Sequence, residues 1–180
     1  MTIVPLQLYF LDGRAKVEGR DAFGADSIPA DALLCRIVRS PHHRAAFAIG
    51  DVAAFVAAHP GVVAVFTAAD VPGRNVHGVI PPFADQPVFT VDETRFKGEA
   101  VAAVVGERDA VAALDLASFP IRWTPLPHVL TIDAALASDA PQLHAGRAGN
   151  VLVRGRVAKG DVEASVADVA VSGAFETGFV

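Results

Sequence analysis

The chain has 180 residues, of which 52% are apolar and 19% charged, a composition that suits one compact core with an appendage and excludes intrinsic disorder. Its net charge is -5 and its Lys and Arg residues are scattered singly, so we expect no nucleic-acid partner. Its apolar runs are too short to cross a bilayer and its first residues do not resemble a secretory signal, so we expect no membrane partner and a cytoplasmic location.

The first quarter of the chain predicts an arm followed by two strands. Glycines and a proline up to residue 31 indicate a lead-in arm with turns that packs on another surface. Residues 33–39 are largely apolar on both faces, and residues 44–49 carry apolar side chains at alternate positions. We therefore expect two strands joined by a turn at Ser40-Pro41.

A helix and a strand are predicted next. Asp51 is a good N-cap for a helix over residues 52–58, and Gly61 suits a left-handed residue just beyond the last turn. Residues 62–66 form an uninterrupted apolar run, which is typical of a buried strand.

A long loop follows this strand. Thr67 and Asp70 have the spacing of a capping box, which opens a single helical turn before Pro72-Gly73 ends it. The chain then runs without periodicity to about residue 87 and is rich in Gly and Pro. Long irregular loops in compact domains often carry function, so this loop is the first place to look for a site.

The middle of the chain predicts a strand, a helix and a second strand. Residues 98–105 are apolar on both faces, as in a central strand, and residues 107–118 have apolar positions at helical spacing. Pro120 then forces the exit into a strand over residues 121–124. A helix of this length between two strands predicts a right-handed crossover between parallel strands, and thus a mixed α/β unit.

The last quarter predicts less regular structure. Thr131 can cap a short helix that ends at Leu136, and the polar stretch over residues 138–149 is typical of a linker. Strands are predicted over residues 151–157 and 170–180, with a short helix over 161–167 between them. An apolar strand that ends at Phe179-Val180 would leave an unpaired strand edge. We therefore expect further polypeptide to pack against this strand.

Several motifs resemble, in order and spacing, the α/β hammerhead domain that begins the large subunit of molybdenum hydroxylases of the xanthine dehydrogenase and aldehyde oxidase type. The motifs are Arg39-Ser40-Pro41-His42, Pro60-Gly61-Val62, Val65 through Gly73 (VFTAADVPG), Asp85-Gln86-Pro87-Val88, Lys97 through Ala102 (KGEAVA) and Trp123 through Pro127 (WTPLP). Thr124 departs from the family, which usually has Glu there.

The resemblance extends past this domain. Ala140-Pro141, His144 and Asn150 continue it, and Lys159-Gly160-Asp161-Val162, Ala167-Asp168-Val169 and Phe175-Glu176-Thr177 look like the opening of the family's next domain. The resemblance thus implies an α+β (mixed α/β) fold. Residues 1–149 would be an N-terminal arm and hammerhead domain, and residues 150–180 the incomplete start of the molybdopterin-binding domain.

Enzymes that the chain resembles insert a water-derived oxygen into a carbon–hydrogen bond. They use a molybdenum cofactor, either molybdopterin or its cytosine dinucleotide, and pass electrons to iron–sulfur clusters and FAD. The resemblance implies that the cofactor is held by the remainder of the molybdenum-binding subunit and that the clusters and FAD lie on partner subunits or domains. It also implies a homo-oligomer of the complete complex, in which this segment supplies structure and a docking surface for other subunits. The family's cofactor-binding loops and its glutamate base have no counterpart here, so no catalytic, cofactor-binding or metal-binding residue is predicted in this chain.

The residues that could suggest other chemistry have simpler interpretations. His42 and His43 are adjacent and point to opposite faces of an extended segment, so they are expected to pack rather than to share a metal. Cys35 lies among apolar residues and is expected to be a small buried residue rather than a nucleophile, and as a single cysteine it supports neither an internal disulfide nor an iron–sulfur cluster. The glycines form no phosphate-binding pattern.

Phe83 is the one predicted site residue. It lies in the long loop between Pro82 and Ala84, ahead of an Asp-x-x-Val-Phe run over residues 85–89. In the family that the chain resembles, the phenylalanine at the matching place lines the funnel through which substrate reaches the molybdenum. A plain packing role is the alternative interpretation, because a single aromatic residue is often part of a core.

Two functions remain open at the level of sequence. The first is a structural and substrate-channel part of a molybdenum hydroxylase that docks on a cofactor-bearing polypeptide. The second is a stand-alone binding or scaffold module with the hammerhead fold and no catalytic activity. A small hydrolase has little support, because no Ser, Cys or pair of carboxylates occurs in a recognisable nucleophile setting.

Overall fold

The computed structural model of the protein describes residues 12–161, 164, 168–169 and 171–178. The described strands are β1 (Leu34–Arg39), β2 (Ala45–Ile49), β3 (Val62–Thr67), β4 (Glu93–Thr94), β5 (Ala100–Gly106) and β6 (Ile121–Pro125). The described α-helices are α1 (Gly13–Val17), α2 (Val52–Ala58), α3 (Arg108–Ala113) and α4 (Ile132–Leu136). The chain divides into two compact units, Met1–His128 and Val129–Val180.

The strands of the first unit form two small antiparallel sheets. One sheet has the order β1-β5-β3 and the other the order β4-β2-β6. Strands β1 and β2 follow each other in the chain, as predicted, but they lie in different sheets because the turn between them carries the chain from one sheet to the other. The mixed fold that the sequence predicts is confirmed.

The predicted parallel crossover is wrong. Strand β5 pairs antiparallel with both β1 and β3, and β6 pairs antiparallel with β2 in the other sheet. Helix α3 therefore connects two sheets rather than two neighbouring strands of one sheet. A local strand-helix-strand pattern records the order of the elements but does not record which strand pairs with which.

The predicted helix over residues 107–118 is also wrong in its extent. Helix α3 ends at Ala113, Leu114 is extended, and a separate 3-10 turn covers Leu116–Ser118. The side chain of Asp115 accepts a hydrogen bond from the backbone N–H of Ala117 at 2.9 Å. Asp favours such caps over a helix interior, so it starts a new turn instead of continuing the helix.

Helix α2 matches its prediction in both bounds. The Asp51 carboxylate accepts a hydrogen bond from the backbone N–H of Ala54 at 2.8 Å, as an N-cap does. Gly61, beyond the end of the helix, has a φ of +92°, which confirms the expected left-handed conformation. The strand that follows is only partly buried, since Val63 is 59% and Phe66 is 45% exposed.

The core of this unit lies between the β1-β5-β3 sheet and the segments that cover one of its faces. Helices α2 and α3 each contribute one buried side chain, Phe55 and Val111. The Phe55 ring meets the ring of Phe119 edge to face, with 5.3 Å between centroids. The cluster of buried residues comprises Val38, Phe55, Val62, Ala102, Val104, Val111 and Phe119.

The arm contains short helical turns, and the second unit begins with a predicted helix. The arm contains α1 and a 3-10 turn over Gly24–Ser27, and ion pairs of Arg14 with Glu18 and of Lys16 with Asp12 accompany α1. Helix α4 is confirmed, with its predicted cap: Thr131 Oγ1 accepts from the N–H of Ala134 at 3.2 Å.

The polar stretch before residue 150 folds back on itself. The Asn150 side chain donates to the carbonyls of Ala135 and Pro141 at 3.0 and 3.1 Å and accepts from the N–H of Leu143 at 2.9 Å. No strand occurs over residues 151–157 or 171–178 of the described chain, so the two predicted strands are not found there. The predicted helix over 161–167 and the residues Phe179-Val180 lie largely outside the described residues.

No helix in the described part of the chain combines the length and the apolar character needed to span a bilayer.

Candidate functional site

The candidate site is the long loop that leaves strand β3. At its start, the backbone N–H of Thr67 donates to the Asp70 carboxylate at 2.8 Å and the Thr67 hydroxyl donates to it at 2.9 Å. The predicted capping box is therefore confirmed, with a 3-10 turn over Ala68–Asp70. Because both Thr67 groups favour the charged carboxylate, the pKa of Asp70 lies below its usual value. This turn fixes the direction in which the loop leaves the sheet.

Within the loop, residues 75–89 form a closed segment that we call the loop lobe. The Asn75 side chain joins its two ends: Nδ2 donates to the carbonyl of Phe89 at 2.7 Å. Oδ1 of Asn75 accepts from the N–H groups of Val88 and Phe89 at 3.1 and 3.2 Å. One step further in, His77 and Gln86 exchange backbone hydrogen bonds of 2.8 and 3.3 Å. The lobe is thus a loop with two successive cross-links at its base.

The outer part of the lobe carries Phe83 on a 3-10 turn over Pro81–Phe83. The N–H of Phe83 donates to the carbonyl of Ile80 at 2.8 Å, and the N–H of Ala84 donates to that of Pro81 at 3.2 Å. The Phe83 side chain is half-buried, whereas Val79 is 99% exposed and Ile80 is 56% exposed. The lobe therefore exposes apolar side chains directly before the turn that carries the half-buried Phe83.

The lobe is packed tightly behind this turn. A Cβ atom at Gly78 would lie 2.6 Å from Cα of Ala84, a distance at which the backbone must shift. Gly78 is therefore the residue that lets the two sides of the lobe approach each other. Neither Gly78 nor Asn75 was singled out from the sequence. Asn side chains often form hydrogen bonds to the backbone of loops, and this preference could have pointed to Asn75.

His42 and His43 pack against different rings, as expected for residues with a packing role. The His42 ring meets the Trp123 ring edge to face at 5.7 Å, while the His43 ring stacks on the ring of His128 at 5.1 Å. The Nδ1 atom of His59 lies 2.7 Å from the carbonyl oxygen of Phe55, which places this histidine at the end of α2 as a capping residue.

Cys35 corrects one expectation, because it is exposed rather than buried. It lies on β1, which is an edge strand of its sheet, and faces away from the core that Val38 and Leu34 join. The apolar neighbours that suggested burial are themselves partly open, with Leu33 51% exposed.

A shallow groove of about 370 Å³ runs between the edges of β1 and β6. It is lined by Ile37, Val38, Arg39, Pro41, Leu116, Ala117, Ile121 and Trp123. Since Arg39 is its one titratable lining residue, the groove offers no acid and base pair for catalysis.

The described residues do not fit a metal centre. Among them there is no group of three or more His, Cys, Asp or Glu side chains that could hold a metal ion. No step of a metal-dependent reaction is therefore assigned to residues in this part of the chain.

Comparison with known proteins shows the family to which the chain belongs. Residues 18–127 match the family model described as "Aldehyde oxidase and xanthine dehydrogenase, a/b hammerhead domain". This match covers more than half of the chain and contains the whole loop lobe.

Relatives and solved structures agree with that match. The chain is 35% identical to a probable xanthine dehydrogenase subunit of Bacillus subtilis, over 84% of this chain and 20% of that protein. It is 34% identical to the xanthine dehydrogenase molybdenum-binding subunit of Escherichia coli O157:H7, over 93% of this chain and 23% of that protein. Aldehyde oxidoreductase from Desulfovibrio gigas has the same fold over 76% of this chain and 16% of its own, with a TM-score of 0.65 and 27% identity. The chain thus spans about a fifth of the length of these relatives.

Proposed function

Because the chain belongs to the aldehyde oxidase and xanthine dehydrogenase family, whose hammerhead domain it contains, we propose that it works as the front part of a molybdenum hydroxylase large subunit. In this role it supplies structure, a docking surface for the rest of the large polypeptide, and part of the substrate channel. The complete enzyme hydroxylates a carbon–hydrogen bond of its substrate with oxygen derived from water. The family match over residues 18–127 carries the proposal.

The redox groups belong, in this proposal, to other parts of the assembly. The molybdenum cofactor, molybdopterin or its cytosine dinucleotide, is held by the remainder of the large subunit, and iron–sulfur clusters and FAD by partner subunits or domains. Residues 150–180 are the start of the cofactor-binding domain and residues 1–149 the arm and hammerhead domain. The cytoplasmic location and the homo-oligomeric state stay predictions.

Phe83 is the channel residue of this proposal. An aromatic side chain on an ordered turn gives a substrate a fixed apolar surface, which a flexible loop would not. The exposure of Val79 and Ile80 beside it supports an outward-facing apolar surface in the same lobe. The ring of Phe83 would guide and orient the substrate without taking part in bond making.

The substitution Phe83→Ala in the complete enzyme tests this role. We expect KM for the affected substrates to change by roughly tenfold, with a smaller change in kcat, because losing one apolar contact costs about 1–3 kcal/mol of binding. Steady-state kinetics measure the change, with xanthine, benzaldehyde and nicotinate as probes. The same measurement is made with the best substrate that a broader screen of the parent enzyme finds.

Phe66→Ala is the matched control, since Phe66 is a half-exposed phenylalanine on β3 outside the lobe. It should leave the substrate profile as it is. A Phe83→Ala enzyme whose KM values equal those of the parent for every substrate would overturn the channel role.

A further inference from the structure

The loop lobe is closed by one side chain. Asn75 makes three hydrogen bonds to the backbone of residues 88–89, as donor and as acceptor, and so uses both ends of its amide. These bonds join residues that are 13 and 14 positions apart. The Asn75 side chain is half-buried, so solvent competes only partly for its partners.

The turn that carries Phe83 lies between the two ends that Asn75 joins. Inside the Asn75 bonds lies a further cross-link, the backbone pair of His77 and Gln86, whose second bond is long at 3.3 Å. A loop held at its base explores fewer conformations than an open loop of the same length, so its outer turn keeps one position. The Asn75 amide is therefore one of the restraints on the backbone that carries Phe83.

We propose that Asn75 is a positioning residue for the substrate channel, which acts by fixing the place of Phe83. The proposal rests on the channel role of Phe83 described above. Asn75 does not touch the substrate. It holds the base of the loop lobe so that the Phe83 ring is presented in one orientation when the substrate passes.

Gly78 supports the same interpretation by an independent feature. The close approach of Gly78 to Ala84 fixes the two sides of the lobe against each other above the Asn75 bonds. The Asn75 bonds and the Gly78 contact each restrain the backbone that leads into the turn over Pro81–Phe83. Disturbing either one should displace Phe83.

The variant Asn75→Ala in the complete enzyme tests the proposal in two ways. We expect KM to change in the same direction as in Phe83→Ala, with kcat less affected. Because three hydrogen bonds at the base are lost, the amides of Phe83 and Ala84 should exchange their hydrogens at least about tenfold faster. Gly78→Ala should shift KM in the same way.

Two further variants separate positioning from a general structural effect. Asn75→Asp keeps the acceptor for the N–H groups of Val88 and Phe89 but loses the donor to the Phe89 carbonyl, so it should recover part of the parent KM. Gly73→Ala is the matched control, because a Cβ at Gly73 meets open space, and it should leave KM and hydrogen exchange unchanged.

The double variant Asn75→Ala/Phe83→Ala tests whether Asn75 affects KM through Phe83. If Asn75 acts through Phe83, its removal adds no further KM change once the ring is absent. Additive effects of the two substitutions on KM would overturn the proposal. An Asn75→Ala enzyme whose Phe83 and Ala84 amides exchange hydrogen at the parent rate would also overturn it. If Phe83→Ala changes KM and Asn75→Ala does not, the positioning role fails and the channel role stands. If Phe83→Ala leaves KM unchanged, the channel role of Phe83 and the positioning role of Asn75 both fail.

Discussion

At the scale of the residue, the guanidinium group of Arg36 joins strand β1 to helix α3. It donates to the carbonyls of Val111, Ala112 and Leu114 at 2.9, 3.1 and 2.6 Å. These carbonyls lie at the end of the helix, where a positive charge is favourable, and that of Val111 also accepts from the backbone N–H of Leu114 at 3.4 Å. The Arg36 side chain on the sheet thus supplies hydrogen-bond donors to backbone carbonyls at the end of α3, which ends at Ala113.

We predict that Arg36→Met destabilises the protein by about 1–3 kcal/mol, since the bonds are charge-assisted and partly buried. The midpoint of chemical denaturation measures the loss. Arg122→Met, at an exposed position on β6, is the control and should shift the midpoint little. Equal shifts for the two variants would contradict this account of Arg36.

Single residues were predictable from the sequence where their partner is local. Asp51, Thr67 and Thr131 cap turns within three positions, and each was identified as a capping residue type directly before a predicted helical turn. Asn75 and Arg36 bind backbone that lies 13 to 78 positions away, a distance over which one sequence carries no pairing information. The prediction for Cys35 was wrong because its burial depends on which side of the sheet the helices cover.

At the scale of the element, most strands and helices between residues 33 and 136 were placed well and their partners were not. The helix predicted over 107–118 was too long, and the strands predicted over 151–157 and 170–180 do not occur in the described residues. The predicted bounds of β1, β2, β5 and β6 agree with the structure to within two residues, because apolar patterns and prolines mark them. The assignment of these strands to two sheets depends on long-range pairing, and the pattern of β5, α3 and β6 favoured a parallel unit that does not form. The family resemblance provided the fold that periodicity alone did not.

A hydroxyl pair joins the two sheets where the chain passes from β1 to β2. Ser40 Oγ and Thr94 Oγ1 lie 3.0 Å apart, and both residues are buried. Thr94 also lies 3.3 Å from the carbonyl oxygen of Ala45, to which it donates. The pair therefore satisfies buried polar groups at the place where the sheets meet.

We predict that Thr94→Val, which keeps the shape and removes the hydroxyl, lowers the free energy of unfolding by about 1–2 kcal/mol because buried partners lose a bond. Thr124→Val, on the exposed side of β6, should change it by less than about 0.5 kcal/mol. Thermal or chemical unfolding of both variants provides the comparison. A Thr94→Val protein as stable as Thr124→Val would show that the hydroxyl pair is unimportant.

At the scale of the whole molecule, each unit by itself exposes large apolar side chains. In the second unit, side chains that a closed core would bury are more than half exposed in the described residues: Leu130, Ile132, Leu136, Leu152, Val153, Val157, Val169, Val171 and Phe175. Large exposed apolar areas mark surfaces that another polypeptide or domain covers. This exposure agrees with a composition of 52% apolar residues and supports the proposed docking on the rest of a large subunit.

The central claim is that this chain functions within a molybdenum hydroxylase assembly, and native purification tests it most directly. The polypeptide that carries this sequence is tagged in its own cell, purified under native conditions, and analysed by mass spectrometry and elemental analysis for molybdenum. We predict that it is isolated with the remaining sequence of a molybdenum-binding large subunit, in equal amounts, and with molybdenum bound. Isolation as a monomer of this chain without molybdenum and without that sequence would contradict the claim and would favour the stand-alone binding module.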